Sequence, residues 1–119
     1  MTIAYIDKHH VADSLLMQIQ KKCAAFEFHK ITGYEAAQHF IESEKPDIIL
    51  LDFRLPESGS LEFMKLLHLN NIRQPIIVFH NCLDLLTRQQ AVIYGAAHFI
   101  NTNAEVEHLP AVLSHYLLK

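Results

Sequence analysis

Pro46 is followed by Asp47-Ile48-Ile49-Leu50-Leu51-Asp52, an uninterrupted apolar run bracketed by two acids. A strand with one face in water alternates apolar and polar residues, so a run without alternation has both faces covered. Strands of that kind sit inside parallel sheets flanked by helices on both sides. This segment therefore points to an α/β fold with the run as a central strand ending at Asp52.

The rest of the chain repeats a strand-then-helix pattern. Ile3 to Ile6 is a short apolar run that stops at Asp7, and Val11, Leu15, Leu16 and Ile19 follow at helical spacing. Phe26 and Phe28 alternate with Glu27 and His29 as in a half-exposed strand; after Thr32-Gly33 the positions Ala36, Ala37, Phe40 and Ile41 return to the helical period. Turn residues from Pro56 to Gly59 lead into a broad apolar helix face, Leu61, Phe63, Met64, Leu66 and Leu67, ending near Asn70-Asn71. Pro75 opens a fourth strand, Ile76 to Phe79. Leu85, Leu86, Gln89, Val92 and Ile93 then read as a helix closed by Gly95, before a fifth strand from Ala97 to Ile100. Pro110 suits the first turn of a helix, which predicts a last helix from about Leu109 to Leu118 and a loop over residues 101–108.

Five strand-helix units joined by right-handed crossovers predict a flavodoxin-like (βα)5 three-layer sandwich, its five-stranded parallel sheet in the order 2-1-3-4-5. The 119 residues fit one domain, expected to span 1–119. Half the residues are hydrophobic and 19% are charged, enough to build a core. A net charge of -3 gives no footprint for a phosphate backbone, so direct nucleic-acid binding is not expected. Cys23 and Cys82 form no CxxC and suggest neither a disulfide framework nor a zinc ribbon, which favours a reducing, cytoplasmic setting. No signal core or membrane-length apolar run is present in these residues.

In an open sheet of this order, ligands bind beyond the carboxyl ends of the strands, where the strand order reverses. That rule selects loops beginning at Asp7, Asp52, His80 and Thr102. Two carboxylates, Asp7 and Asp52, thus converge on one edge, where they can hold a hard cation such as Mg²⁺ and so neutralise a phosphoryl group. The plainer reading is that each acid only ends a strand or caps a helix.

The segment from Pro46 to Pro56, followed by Gly59 and Leu61, resembles the phosphorylation segment of response regulator receiver domains, with an apolar strand, an aspartate and then Pro four residues on. Ile3 to Asp7, Pro75 to Phe79 and Gly95 to Ile100 resemble the first, fourth and fifth strands of that family. By position, the resemblance implies that Asp52 is the phosphoacceptor, that Asp7 helps place Mg²⁺, and that the Arg54 main-chain carbonyl is a further metal ligand. It also implies a histidine kinase or phosphotransfer protein as partner, and a homodimer through helix 4, strand 5 and helix 5.

The departures are specific. The usual second acid is Lys8, the usual Thr or Ser after strand 4 is His80, and the usual Lys after strand 5 is Thr102. Lys8 turned inward would weaken Mg²⁺ binding and could pair with Asp52; turned outward it would do neither. His80 is bulkier than Thr and titrates near neutrality. Together these changes imply an atypical pocket with weak or absent self-phosphorylation. Phe99 stands where the family often has a switching aromatic, although a strand phenylalanine is more often plain core.

Nine histidines invite a second metal reading, in which His9, His10 and His80 join Asp7 and Asp52 around Zn²⁺ or Ni²⁺; scattered surface histidines explain the same count. His29, His39, His68, His98, His108 and His115 show no ligand spacing among themselves. With three glycines and no GxGxxG, GxSxG or GxxxxGK[ST], neither an enzyme nor a flavin carrier is expected. The alternative to a phosphorylated receiver is a pseudo-receiver that keeps the fold and acts as a phosphorylation-independent interaction or dimerisation module.

Overall fold

The computed structural model describes residues 1–6, 13–53, 59–81, 83–102 and 104–117. Its centre is β3 (Ile48–Asp52), buried along its whole length. On one side lie β1 (Thr2–Ile6) and then β2 (Glu27–Ile31); on the other lie β4 (Ile76–His80) and then β5 (Ala96–Asn101). All neighbouring strands are parallel, in the order β2-β1-β3-β4-β5 anticipated from the sequence. The register matches Ile6 to Leu51, Asp52 to Phe79 and His80 to Asn101, so the three inner strand ends form one edge.

Alternation along the strands divides the core in two. Ile3, Tyr5, Leu50, Ile77, Phe79 and Ile100 face Leu16 and Ile19 of α1 (Asp13–Lys22) and Leu109 and Leu113 of α5 (Leu109–Leu117). Ile6, Ile49, Leu51, Ile76 and Val78 face the other layer, α2 (Tyr34–Glu44), α3 (Gly59–Leu69) and α4 (Leu85–Ile93). Successive strand residues point to opposite faces, and covering both is what makes the sequence of β3 apolar throughout. Among the described residues, no helix is long and apolar enough to cross a membrane.

Helix ends follow local chemistry. The Asp84 side chain caps α4 by accepting from the Thr87 N–H at 2.7 Å. The turn after α4 needs Gly95, whose φ of +110° is open to glycine and strained for other residues. Two details differ from the sequence reading. The stretch read as loop over 101–108 contains a 3₁₀ turn, Val106–His108, too short to show a period. In α4 only Ala91 is buried, while Leu85, Leu86, Val92 and Ile93 are 54 to 70% exposed. The apolar stripe that marks this helix in the sequence therefore turns away from the sheet, because the small Ala91 makes the inward contact.

Candidate functional site

Asp52 ends β3 at the carboxyl edge and is only 7% exposed. Its backbone is fixed from two directions. One residue on, the Phe53 N–H donates to the Phe79 carbonyl at 2.7 Å, extending the parallel ladder past the strand end. From the first turn of α3, the fully buried Ser60 hydroxyl donates to the Asp52 carbonyl at 2.7 Å. Because the Ser60 proton points to that carbonyl, the Tyr34 hydroxyl donates to Ser60 Oγ, 2.8 Å away. Tyr34 is held in turn by stacking on Phe63, with ring centroids 4.9 Å apart. Gly59 leaves room for this ring: a Cβ there would meet Tyr34 Cε2 at 2.9 Å.

Removing the Ser60 hydroxyl strips a partner from two groups at once. Ser60→Ala is expected to lower stability by about 1–3 kcal/mol, the usual cost of leaving buried polar groups without a partner. Urea denaturation checks this, and an unchanged midpoint would show that the Tyr34–Ser60–Asp52 chain does not hold the strand end.

His80 closes β4 and is also 7% exposed, with no hydrogen-bond partner for its buried Nδ1. Its ring meets Phe99 edge-on, centroids 6.2 Å apart, and the Arg88 guanidinium lies 4.4 Å from the centre of that same phenylalanine. Burial, and next the positive charge of Arg88, hold the His80 pKa below its ordinary value against a weaker opposing pull from Glu105. His80 is thus a neutral ring at neutral pH.

Thr102, just past β5, donates to the His80 carbonyl through both its N–H, at 2.8 Å, and its hydroxyl, at 3.2 Å. The loop behind it is closed by Glu105, which accepts from the Asn101 N–H at 3.1 Å and donates its own N–H to the Asn101 carbonyl at 2.7 Å. The Thr102 hydroxyl is therefore directed to backbone, where a lysine would extend a cation.

The fold brings Asp52, His80 and Thr102 to the same edge, as their positions in the sequence imply. Asp7, Lys8, His9, His10 and Arg54 lie outside the described residues, and with them the expected Lys8–Asp52 pair and most of the histidine-rich metal reading. Among the described residues, no three His, Cys, Asp or Glu side chains gather to hold a metal. The Asp52 carboxylate is an oxygen donor of the kind Mg²⁺ accepts, whereas the neutral His80 nitrogen suits borderline metals better. Sequence reading did not find the Ser60–Tyr34 clamp or the Arg88 contact. Each joins residues distant in the chain through pairings that no short motif records.

The sequence profile of the response regulator receiver domain matches residues 3–114. The chain belongs to the receiver domain family. This receiver is 24% identical over 92 residues to the regulatory protein AtoC of Escherichia coli K12, covering 77% of the chain and 20% of that protein. It is 27% identical over 88 residues to the transcriptional regulatory protein MalR of Bacillus subtilis, covering 74% of the chain and 37% of that protein. The chain thus spans only a fifth to about a third of these relatives. Its fold matches the response regulator receiver protein of Pseudoalteromonas atlantica with a TM-score of 0.83 at 17% identity, covering 98% and 97% of the two chains. Receiver domains are signalling modules of two-component systems, and this chain is one of that class.

Proposed function

We propose that this receiver takes a phosphoryl group on the Asp52 carboxylate from a phosphorylated histidine of a kinase or phosphotransfer protein. The observation that carries the reading is the position of Asp52: a carboxylate at the end of the central strand, its backbone clamped through Phe53 and Ser60. In the transfer an Asp52 oxygen bonds to phosphorus as the phosphorus–nitrogen bond of the donor breaks, and the imidazole leaves with its electron pair. Such a reaction relies on positioning and charge stabilisation. Asp52, Asp7 and the Arg54 main-chain carbonyl would hold Mg²⁺, which neutralises phosphoryl charge when bound; Lys8 in place of the second acid makes that binding weak. His80 and Thr102 occupy the two positions from which other receivers contact the phosphoryl group. Here they supply a neutral ring and a hydroxyl turned to backbone, so the transfer is slow.

Output passes through the face made by α4, β5 and α5, where a second copy docks. The exposed Leu85, Leu86, Val92 and Ile93 support this, since contiguous apolar side chains on a helix surface mark interaction sites.

Incubation with acetyl phosphate and Mg²⁺ is expected to give a slow mass increase of one phosphoryl group, absent in Asp52→Ala. Absence of the adduct with both acetyl phosphate and a phosphorylated histidine donor, or its survival in Asp52→Ala, would overturn the reading.

A further inference from the structure

The peptide that follows Asp52 is held at both ends. Its N–H, on Phe53, donates to the Phe79 carbonyl of β4 at 2.7 Å. A trans peptide is planar, with its carbonyl and N–H pointing in opposite directions. The Asp52 carbonyl therefore points away from β4, to the side where the pairing of β1 with β3 has ended one residue earlier, at Ile6 and Leu51. Ser60 meets it there from the first turn of α3, its hydroxyl 2.7 Å from the carbonyl oxygen. We propose that Ser60 and Tyr34 are positioning residues for phosphoryl transfer at Asp52: by stopping rotation of this peptide they fix the direction in which the carboxylate meets phosphorus. The proposal rests on the reading that Asp52 accepts the phosphoryl group.

Both residues act through the main chain. Pairing with β1 and β4 fixes the chain before Asp52, and the pinned peptide fixes it afterwards, so the Cα between them holds its carboxylate in one direction. Phosphoryl transfer needs the attacking and leaving atoms roughly in line. In such a geometry a misplacement of about 1 Å can cost about 10²-fold in rate. Tyr34 strengthens the hold from a second helix. Its hydroxyl donates to Ser60 Oγ, 2.8 Å away, and a hydroxyl that accepts one hydrogen bond is a better donor in the next. Tyr34 opens α2 and stacks on Phe63 of α3, so the first turns of two helices converge on one carbonyl.

The rate of mass increase over a range of acetyl phosphate concentrations, at fixed Mg²⁺, tests it in the parent, Tyr34→Phe, Ser60→Ala and the double variant. All four are compared at a temperature where circular dichroism shows them folded. Ser60→Ala is expected to lower the maximal rate roughly tenfold and Tyr34→Phe roughly threefold, each with the donor concentration for half-maximal rate unchanged. Tyr34→Phe keeps the ring on Phe63, so it tests the hydroxyl without emptying the core. Because Tyr34 acts through Ser60, the double variant is expected to be no slower than Ser60→Ala alone. Exchange of the Phe53 amide proton is expected to quicken in Ser60→Ala. A clamp that only stabilised the fold would leave the maximal rate of the folded protein unchanged, and that result overturns the proposal. So does a double variant slowed by the product of the two single effects, or a Phe53 amide that exchanges as in the parent. An adduct on Asp52 of the parent keeps the acceptor reading in each of these cases. A parent that takes no phosphoryl group from acetyl phosphate or from a phosphorylated histidine donor overturns both.

Discussion

The His80→Thr, Thr102→Lys double variant is expected to accept phosphate on Asp52 roughly 100-fold faster than the parent chain, because one donor aimed at developing charge is worth about 10²–10³ in rate. In the parent, His80 is a buried neutral ring packed against Phe99. The Thr102 hydroxyl points to the His80 carbonyl rather than into the pocket. Neither residue brings positive charge to the edge where Asp52 ends. Threonine at 80 offers a small hydroxyl without the ring, and lysine at 102 offers a cation on a chain long enough to reach across the strand ends. The gain stays below the sum of two such donors because Lys8 still replaces an acid that would help hold Mg²⁺. The rate of mass increase at fixed acetyl phosphate and Mg²⁺ measures the effect. A double variant no faster than the parent would show that these two positions do not face the reacting group.

Phe79→Ala is expected to lower stability by about 3–5 kcal/mol, the range for truncating a buried aromatic residue. Phe79 is fully buried on an inner strand and meets the equally buried Tyr5 edge-on, with ring centroids 6.1 Å apart. Such an aromatic pair adds about 0.5–1.5 kcal/mol beyond the area it buries. A domain of this size holds a total of about 5–15 kcal/mol, so the variant would fold only marginally or not at all at physiological temperature. Urea denaturation with an unchanged slope and a lower midpoint is the expected signature. A loss under about 1 kcal/mol would mean that the core collapses around the missing ring.

How much of this was legible beforehand depends on whether the physics is local. The central, two-faced place of β3 was legible, because covering a strand on both faces leaves its mark in consecutive residues. In α4 the helical period was legible, but its direction was not. A stripe of Leu85, Leu86, Val92 and Ile93 reads the same whether it faces the sheet or a second chain, and only the burial of Ala91 decides. At the site, Asp52, His80 and Thr102 were legible because each is the residue at or just after a strand end. What they bond to was not. The acceptor for the Thr102 hydroxyl depends on the register of β4 with β5, and the clamp from Tyr34 through Ser60 joins residues 26 apart.

The last two carbonyls of β4 accept from opposite neighbours, Phe79 from the Phe53 amide and His80 from Thr102. β4 is thereby a crossbar between β3 and the outer strand of the sheet. Peptide planes are stiff. The Phe53 amide is thereby tied to the Phe79 carbonyl, and the very next carbonyl of β4 is tied to the Thr102 loop leading into α5. Consecutive main-chain hydrogen bonds of β4 thus join the residue after Asp52 to the start of the Thr102 loop, with no side chain between them on the β3 side.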